Sequence, residues 1–134
     1  MGKEQLLTAE ELHFMGIKVV YKDMVDKGYK VLNVRQESDV NPQILAIKDD
    51  IRYFVVVRTA TFPDMGLLLP HVAGEVMKHG NKHKAICYFA SVGIANADGQ
   101  TDEEMAKPVK GGEYYINYKG LQLFPDINYA TFNK

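Results

Sequence analysis

A three-layer α/β/α sandwich is the fold this sequence predicts, and three observations predict it. Two segments, Tyr53–Val57 and Ala85–Ala95, are apolar on both faces, the mark of strands covered from both sides. A helix-patterned stretch lies between them, so the second strand returns parallel to the first through a right-handed crossover. A capped amphipathic helix and two further strands come before, giving the α/β core order αβββαβ with one helix for each face of the sheet. The 134 residues form one domain, 1–134, with a core over about 9–95 and a C-terminal extension over about 96–134.

Thr8-Ala9-Glu10-Glu11 is a capping box, with Thr8 as N-cap and Glu11 reaching back to it. The first helix then runs to about Lys27, and Gly28 ends it. Phe14, Ile17, Val20, Tyr21, Met24 and Val25 fall on one face at helical spacing and are expected to be buried. Leu12, Met15 and Val19 make a second, smaller apolar patch, available to a later segment or to a second copy of the chain. Tyr29–Arg35 alternates as the first strand, and Gln36–Pro42 is a polar loop. The second strand is Gln43–Lys48, Asp49-Asp50 is a two-residue hairpin turn, and the third strand is Ile51–Thr59.

Thr61–Leu69 is a loop. Pro70 suits the first position of the second helix, which the pattern carries to about His79 and stops at Gly80-Asn81. Lys84–Ala95 is the fourth strand. Thr101-Asp102-Glu103-Glu104 is a second capping box that opens a short helix ended by Pro108. Glu113–Tyr118, Lys119-Gly120 and Leu121–Phe124 predict a C-terminal β-hairpin or two short strands.

Composition excludes several functional classes. Lys plus Arg is 16 and Asp plus Glu is 17, a net charge of −1. The chain therefore lacks the basic excess that drives non-specific nucleic-acid binding. Cys87 is the single cysteine, so an internal disulfide, a zinc ribbon and an iron–sulfur cluster are all excluded. No G-x-G-x-x-G dinucleotide fingerprint is present. The expected cofactor set is therefore none. The N-terminal MGKEQLLTAEEL carries acids where a leader has an apolar run, and the longest apolar stretch falls short of the roughly 20 residues a spanning helix needs. The sequence thus predicts a cytoplasmic protein with no membrane association. A protein partner or a homodimer is favoured over nucleic acid.

The stretch from Asn41-Pro42-Gln43-Ile44 through Lys48-Asp49-Asp50-Ile51 to Val55-Val56-Val57-Arg58, within the αβββαβ order of Leu12–Ala95, resembles the core of the PD-(D/E)XK nuclease superfamily, the restriction-endonuclease-like fold. The resemblance places Pro42 at the family's Pro, Gln43 at its metal-binding Asp, Val56 at its second acidic position and Arg58 at its Lys. Members that cleave DNA use both carboxylates to hold magnesium and the Lys to assist the water. Gln43 offers only a neutral oxygen, Val56 offers nothing, and Arg58 keeps the charge without the basicity. By strand alternation Arg52, Phe54, Val56 and Arg58 share a face, so the ancestral catalytic face is half apolar and half cationic.

The resemblance implies a non-catalytic binding or interaction module, a pseudo-nuclease. The alternative is a metal-dependent nuclease whose acidic ligands have been displaced, with Glu37 and Asp39 as the best-placed replacements. The chain is also similar to short bacterial proteins labelled as sodium-translocating NADH–quinone reductase subunits. It has no redox-cofactor residues of its own, so that label would make it an accessory protein at most.

Other groupings carry less. His71, Glu75 and His79 recur at i, i+4 and i+8 on the second helix and are weak metal candidates, read as a solvated face. Tyr114, Tyr115, Tyr118 and Phe124 are read as packing or a protein interface, and Cys87 as a core thiol. Arg58 requires a partner, and Glu37, Asp39, Glu10, Glu11 or a bound anion are its candidates. An internal salt bridge is the expected outcome.

Overall fold

In the computed structural model, residues 5–124 are described. The expectation of no N-terminal leader rests in part on Met1–Glu4, outside those residues. The element order is α1 (Ala9–Asp26), β1 (Lys30–Val34), β2 (Ile44–Lys48), β3 (Ile51–Thr61), α2 (Pro70–His83), β4 (Ala85–Asn96), α3 (Asp102–Met105), β5 (Tyr114–Tyr118) and β6 (Gln122–Leu123). The protein is a mixed α/β structure in which a six-stranded sheet follows the path β1-β2-β3-β4-β5, with β6 also on β4. β3 and β4 are parallel from Arg52↔Ala85 to Thr61↔Ile94, and the other pairings are antiparallel. Among the described residues no helix is long and apolar enough to cross a membrane.

The sheet separates two apolar cores. Val55, Val57, Ile44, Ala46, Ala90, Val92 and Ile94 face α1, where Ile17, Val20 and Met24 meet them. Phe54, Val56, Cys87 and Phe89 face α2, where Val72, Ala73, Val76 and Phe124 complete the second core. Val55, Val56 and Val57 are all fully buried, the two-sided coverage expected of a parallel central strand.

Local chemistry sets the element ends. Glu11 N–H donates to Thr8 Oγ1 at 3.1 Å, and Thr8 N–H donates to Glu11 Oε1 at 2.8 Å. At the other end of α1, Gly28 takes φ +93°, Gly28 N–H bonds to the Val25 carbonyl and Tyr29 N–H to that of Met24. This is the Schellman pattern, and glycine is what makes its left-handed position cheap. Asp49 and Asp50 both adopt positive φ, the conformation a tight β2–β3 hairpin requires and one that Asp tolerates better than most residues.

Three expectations need correction. Phe14, Tyr21 and Val25 lie on the exposed side of α1, whose buried stripe is instead His13, Gly16, Ile17, Val20 and Met24. Gly16 explains the rotation. A Cβ there would fall 1.9 Å from Thr59 Oγ1, so the glycine side is the one that can lie against β3. Second, α2 does not stop at Gly80-Asn81 but continues to His83, with Lys84 as its left-handed cap. Gly80 is a packing residue, since a Cβ on it would meet Cys87 Sγ at 2.4 Å. Third, the C-terminal segment is not a β-hairpin but two short strands, the other form its pattern allowed. β5 and β6 run the same way along the same edge of β4, from Asn96↔Tyr114 to Tyr88↔Leu123. Lys119-Gly120 makes an irregularity in that edge rather than a reversal, and Gly120 at φ +98° absorbs it. The extension is thereby part of the sheet.

Candidate functional site

The connection from β1 to β2 ends where β3 leaves its central, buried stretch, and three side chains lock the junction. Gln43 is fully buried. Its Oε1 accepts the Val57 N–H at 2.8 Å and an Nη1–H of Arg58 at 3.3 Å. Its Nε2 donates to Asn41 Oδ1 at 2.8 Å, to the Val40 carbonyl at 3.3 Å and to the Glu37 carbonyl at 3.4 Å. The Gln43 backbone N–H already bonds to the Val55 carbonyl, so the side chain extends the β2–β3 ladder by one more bond. Both lone pairs of the amide oxygen are in use.

Arg58 is half-buried beside it. Nη1 also donates to the Val57 carbonyl at 2.9 Å, and Nη2 donates to Asn41 Oδ1 at 2.9 Å. The expected internal salt bridge is absent: among the described residues Arg58 makes no ion pair, and all three of its acceptors are neutral oxygens. Glu37 and Asp39 stand exposed on the connection, while Glu11 is taken up by the Thr8 cap and by Lys110 at 3.5 Å. Burial pulls the guanidinium below its ordinary pKa, and it remains a cation at any physiological pH.

Arg58 opens onto a cleft of about 560 Å³ between the first half of α1, the β1–β2 connection and the end of β3. Glu10, His13 and Phe14 come from α1, Glu37 and Asp39 from the connection, and Thr59 from β3. His13 is 8% exposed, and its Nε2 has no hydrogen-bond partner. Thr59 Oγ1 is likewise buried and unpartnered. Burial first, and then the neighbouring Arg58 charge, hold the His13 imidazole below its ordinary pKa, so it is neutral at pH 7.

A pH dependence follows. His13 takes up a proton more readily in the unfolded chain than in the folded one, so its contribution to stability is complete above the ordinary histidine value of 6.5 and is lost as the pH falls below it. Thermal melts from pH 7.5 to 5 should show falling stability, and His13→Leu should flatten that slope. At pH 7.5 the variant should be no less stable than the parent, because it removes an unpartnered buried nitrogen. An unchanged slope would contradict the assignment.

The other candidates lie elsewhere. Val56 is fully buried among Phe54, Val72, Val76 and Phe124, so the face read as a half-cationic ancestral surface is closed by α2 where Phe54 and Val56 sit. His71 and Glu75 are exposed on α2, whereas His79 stacks on Phe54 at 5.2 Å and meets His83 at 4.5 Å. No group of three or more His, Cys, Asp or Glu among the described residues is placed to hold a metal ion. Tyr118 donates to Asp23 Oδ2 at 3.2 Å and Tyr114 to the Val109 carbonyl, which ties the edge strand to the body. Cys87 is buried, donates to the Val76 carbonyl at 3.5 Å, and has its thiol pushed up to about 11 by burial.

The family model described as "Domain of unknown function (DUF8840)" matches residues 10–124. The chain belongs to this family. The match opens at Glu10, on the cleft, and closes at Phe124, in the α2-side core, so the DUF8840 region holds the whole lining except Ala9. No curated protein matches the sequence.

Sequence reasoning placed Gln43, Arg58, Glu37 and Asp39 near one another but missed His13, Thr59 and Asn41. A signal for His13 existed. It falls at i, i+4, i+7 and i+11 with Ile17, Val20 and Met24, which puts a histidine on the buried stripe of α1. Asn41 carried no comparable signal, because its role depends on where Arg58 arrives from β3.

Proposed function

We propose that this protein is a non-catalytic binding module on a restriction-endonuclease-like fold, with its ligand site in the cleft beside Arg58. The order αβββαβ, the Pro42-Gln43 entry into β2 and the β3–β4 crossover support that fold. The observation that carries the non-catalytic reading is the state of Gln43. Its amide oxygen is saturated by Val57 and Arg58 and its nitrogen is directed at three acceptors, which leaves nothing for an ion. Arg58 cannot serve as a general base.

Purified protein with magnesium or manganese is expected to leave single-stranded, double-stranded and branched DNA uncut above background. Metal-dependent cleavage that disappears in Glu37→Ala or Asp39→Ala would establish the displaced-ligand nuclease instead. The same preparation should lack iron–sulfur absorbance, because a single buried thiol cannot hold a cluster, and flavin absorbance, because the chain carries no G-x-G-x-x-G fingerprint. A stoichiometric chromophore would favour the accessory reductase reading.

A further inference from the structure

We propose that the cleft binds a small zwitterion of the amino-acid or short-peptide class, its carboxylate on Arg58 and its ammonium against the carboxylates of Glu10, Glu37 and Asp39. This inference rests on the binding-module reading and gives it a ligand chemistry. The volume, about 560 Å³, lies within the roughly 300–1,000 Å³ of ordinary small-molecule sites.

The charges are the first argument. Arg58 is the one permanent cation among the described lining residues, half-buried at the junction of β2 and β3. Its neighbour His13 is neutral and does not add to it. A guanidinium has five N–H groups, and the three bonds of Arg58 involve only Nη1 and Nη2, so its Nε–H is without an acceptor among the described residues. A planar carboxylate is the complement of such an edge. Glu10, Glu37 and Asp39 are exposed, and none of them is in an ion pair among the described residues. A simple anion reaching Arg58 would meet three negative groups on the way, and a simple cation held by them would face Arg58. A ligand carrying both charges satisfies both ends.

A second observation is independent of charge. His13 Nε2 is a buried polar atom without a partner on a residue that lines this same cleft, whereas Thr59 Oγ1, also unpartnered, lies against Gly16 of α1. Native proteins leave few such atoms, and one beside a cleft points to a polar contact made with a ligand when the wall adjusts around it. Phe14, partly exposed in the lining, contributes apolar surface for an aliphatic ligand side chain.

The test is titration calorimetry on the full chain with leucine, N-acetyl-leucine, leucinamide, glycyl-leucine, acetate, inorganic phosphate and magnesium chloride. Leucine or glycyl-leucine should bind, and N-acetyl-leucine and leucinamide, each lacking one charge, should bind at least about tenfold more weakly. Tighter binding of glycyl-leucine than of leucine identifies a peptide terminus as the source, and the reverse order identifies a free amino acid. Arg58→Gln should weaken binding by about tenfold or more. Glu37→Gln combined with Asp39→Asn, two exposed positions whose change leaves the cores untouched, should weaken it as well. Acetate or phosphate binding as tightly as leucine, magnesium as the sole ligand, or no binding by either zwitterion would overturn the proposal. Its failure with DNA still uncut leaves the binding-module reading standing, whereas DNA cleavage overturns that reading whatever the calorimeter records.

Discussion

Gly66→Ala should destabilise the protein by about 3 kcal/mol or more, at or above the upper end for overpacked sites. The loop after β3 folds back on the strand it has just left. A Cβ at Gly66 would lie 2.0 Å from the Arg58 carbonyl oxygen, 2.3 Å from its carbon and 2.8 Å from Arg58 Cβ. The first two of these atoms are main chain of β3, which at Arg58 is paired with Ser91 of β4, so the clash cannot be relieved by a rotamer change. The loop cannot retreat cheaply either, because Ser91 Oγ on β4 donates to the Gly66 carbonyl at 2.7 Å. Gly74→Ala is the control. It lies inside α2, where an added Cβ meets nothing within 4 Å, and should stabilise by about 0.5–1 kcal/mol through helix propensity. Urea unfolding of both variants measures the contrast. A Gly66→Ala midpoint close to that of the parent would show that the β3–α2 connection does not press on Arg58.

Gln43→Leu should cost about 3 kcal/mol, although leucine nearly matches glutamine in volume and the site is fully buried. A gain in apolar burial would ordinarily offset part of any loss. Here the side chain serves five groups. Leucine would leave the buried Val57 N–H without an acceptor and remove one of the three acceptors of Arg58. The Glu37 and Val40 carbonyls and Asn41 would lose the Nε2 donor, although the exposed part of the connection can take up water in its place. Unsatisfied buried groups cost about 1–3 kcal/mol each, and rehydration of the loop keeps the total well below the sum. The same variant should weaken ligand binding in the cleft, since Arg58 would be held by two acceptors instead of three. A variant as stable as the parent would mean that Gln43 does not organise the junction.

The capping box, the Asp49-Asp50 turn and the central place of β3 and β4 were legible in the sequence because each rests on residues a few positions apart. Thr8 and Glu11 satisfy each other within one turn of helix. Tyr53–Val57 and Ala85–Ala95 declare by their own composition that neither face meets water. The edges of this reading failed where a distant segment decided. Periodicity alone allowed Phe14, Tyr21 and Val25 to face inward, and the close approach of Gly16 to Thr59 turned the helix the other way. Gly80 looked like a stop because glycine usually is one, and only Cys87 on β4 shows why a residue without a side chain stands there inside the helix.

The site divides in the same manner. The sequence by itself determined that the positions resembling a nuclease's acidic ligands hold Gln43 and Val56, that Arg58 carries a charge without basicity, and that acidic residues lie just upstream. Those are properties of residue types and spacing. Only the tertiary structure decided that Gln43 is spent on backbone and arginine, that Val56 is sealed under α2, and that Arg58 stands among neutral oxygens facing a cleft built from α1. The physical reason is that hydrogen-bond saturation and burial belong to pairs of atoms from separate segments, such as Asn41 with Arg58 or Gly16 with Thr59, and no local pattern encodes where two segments will meet.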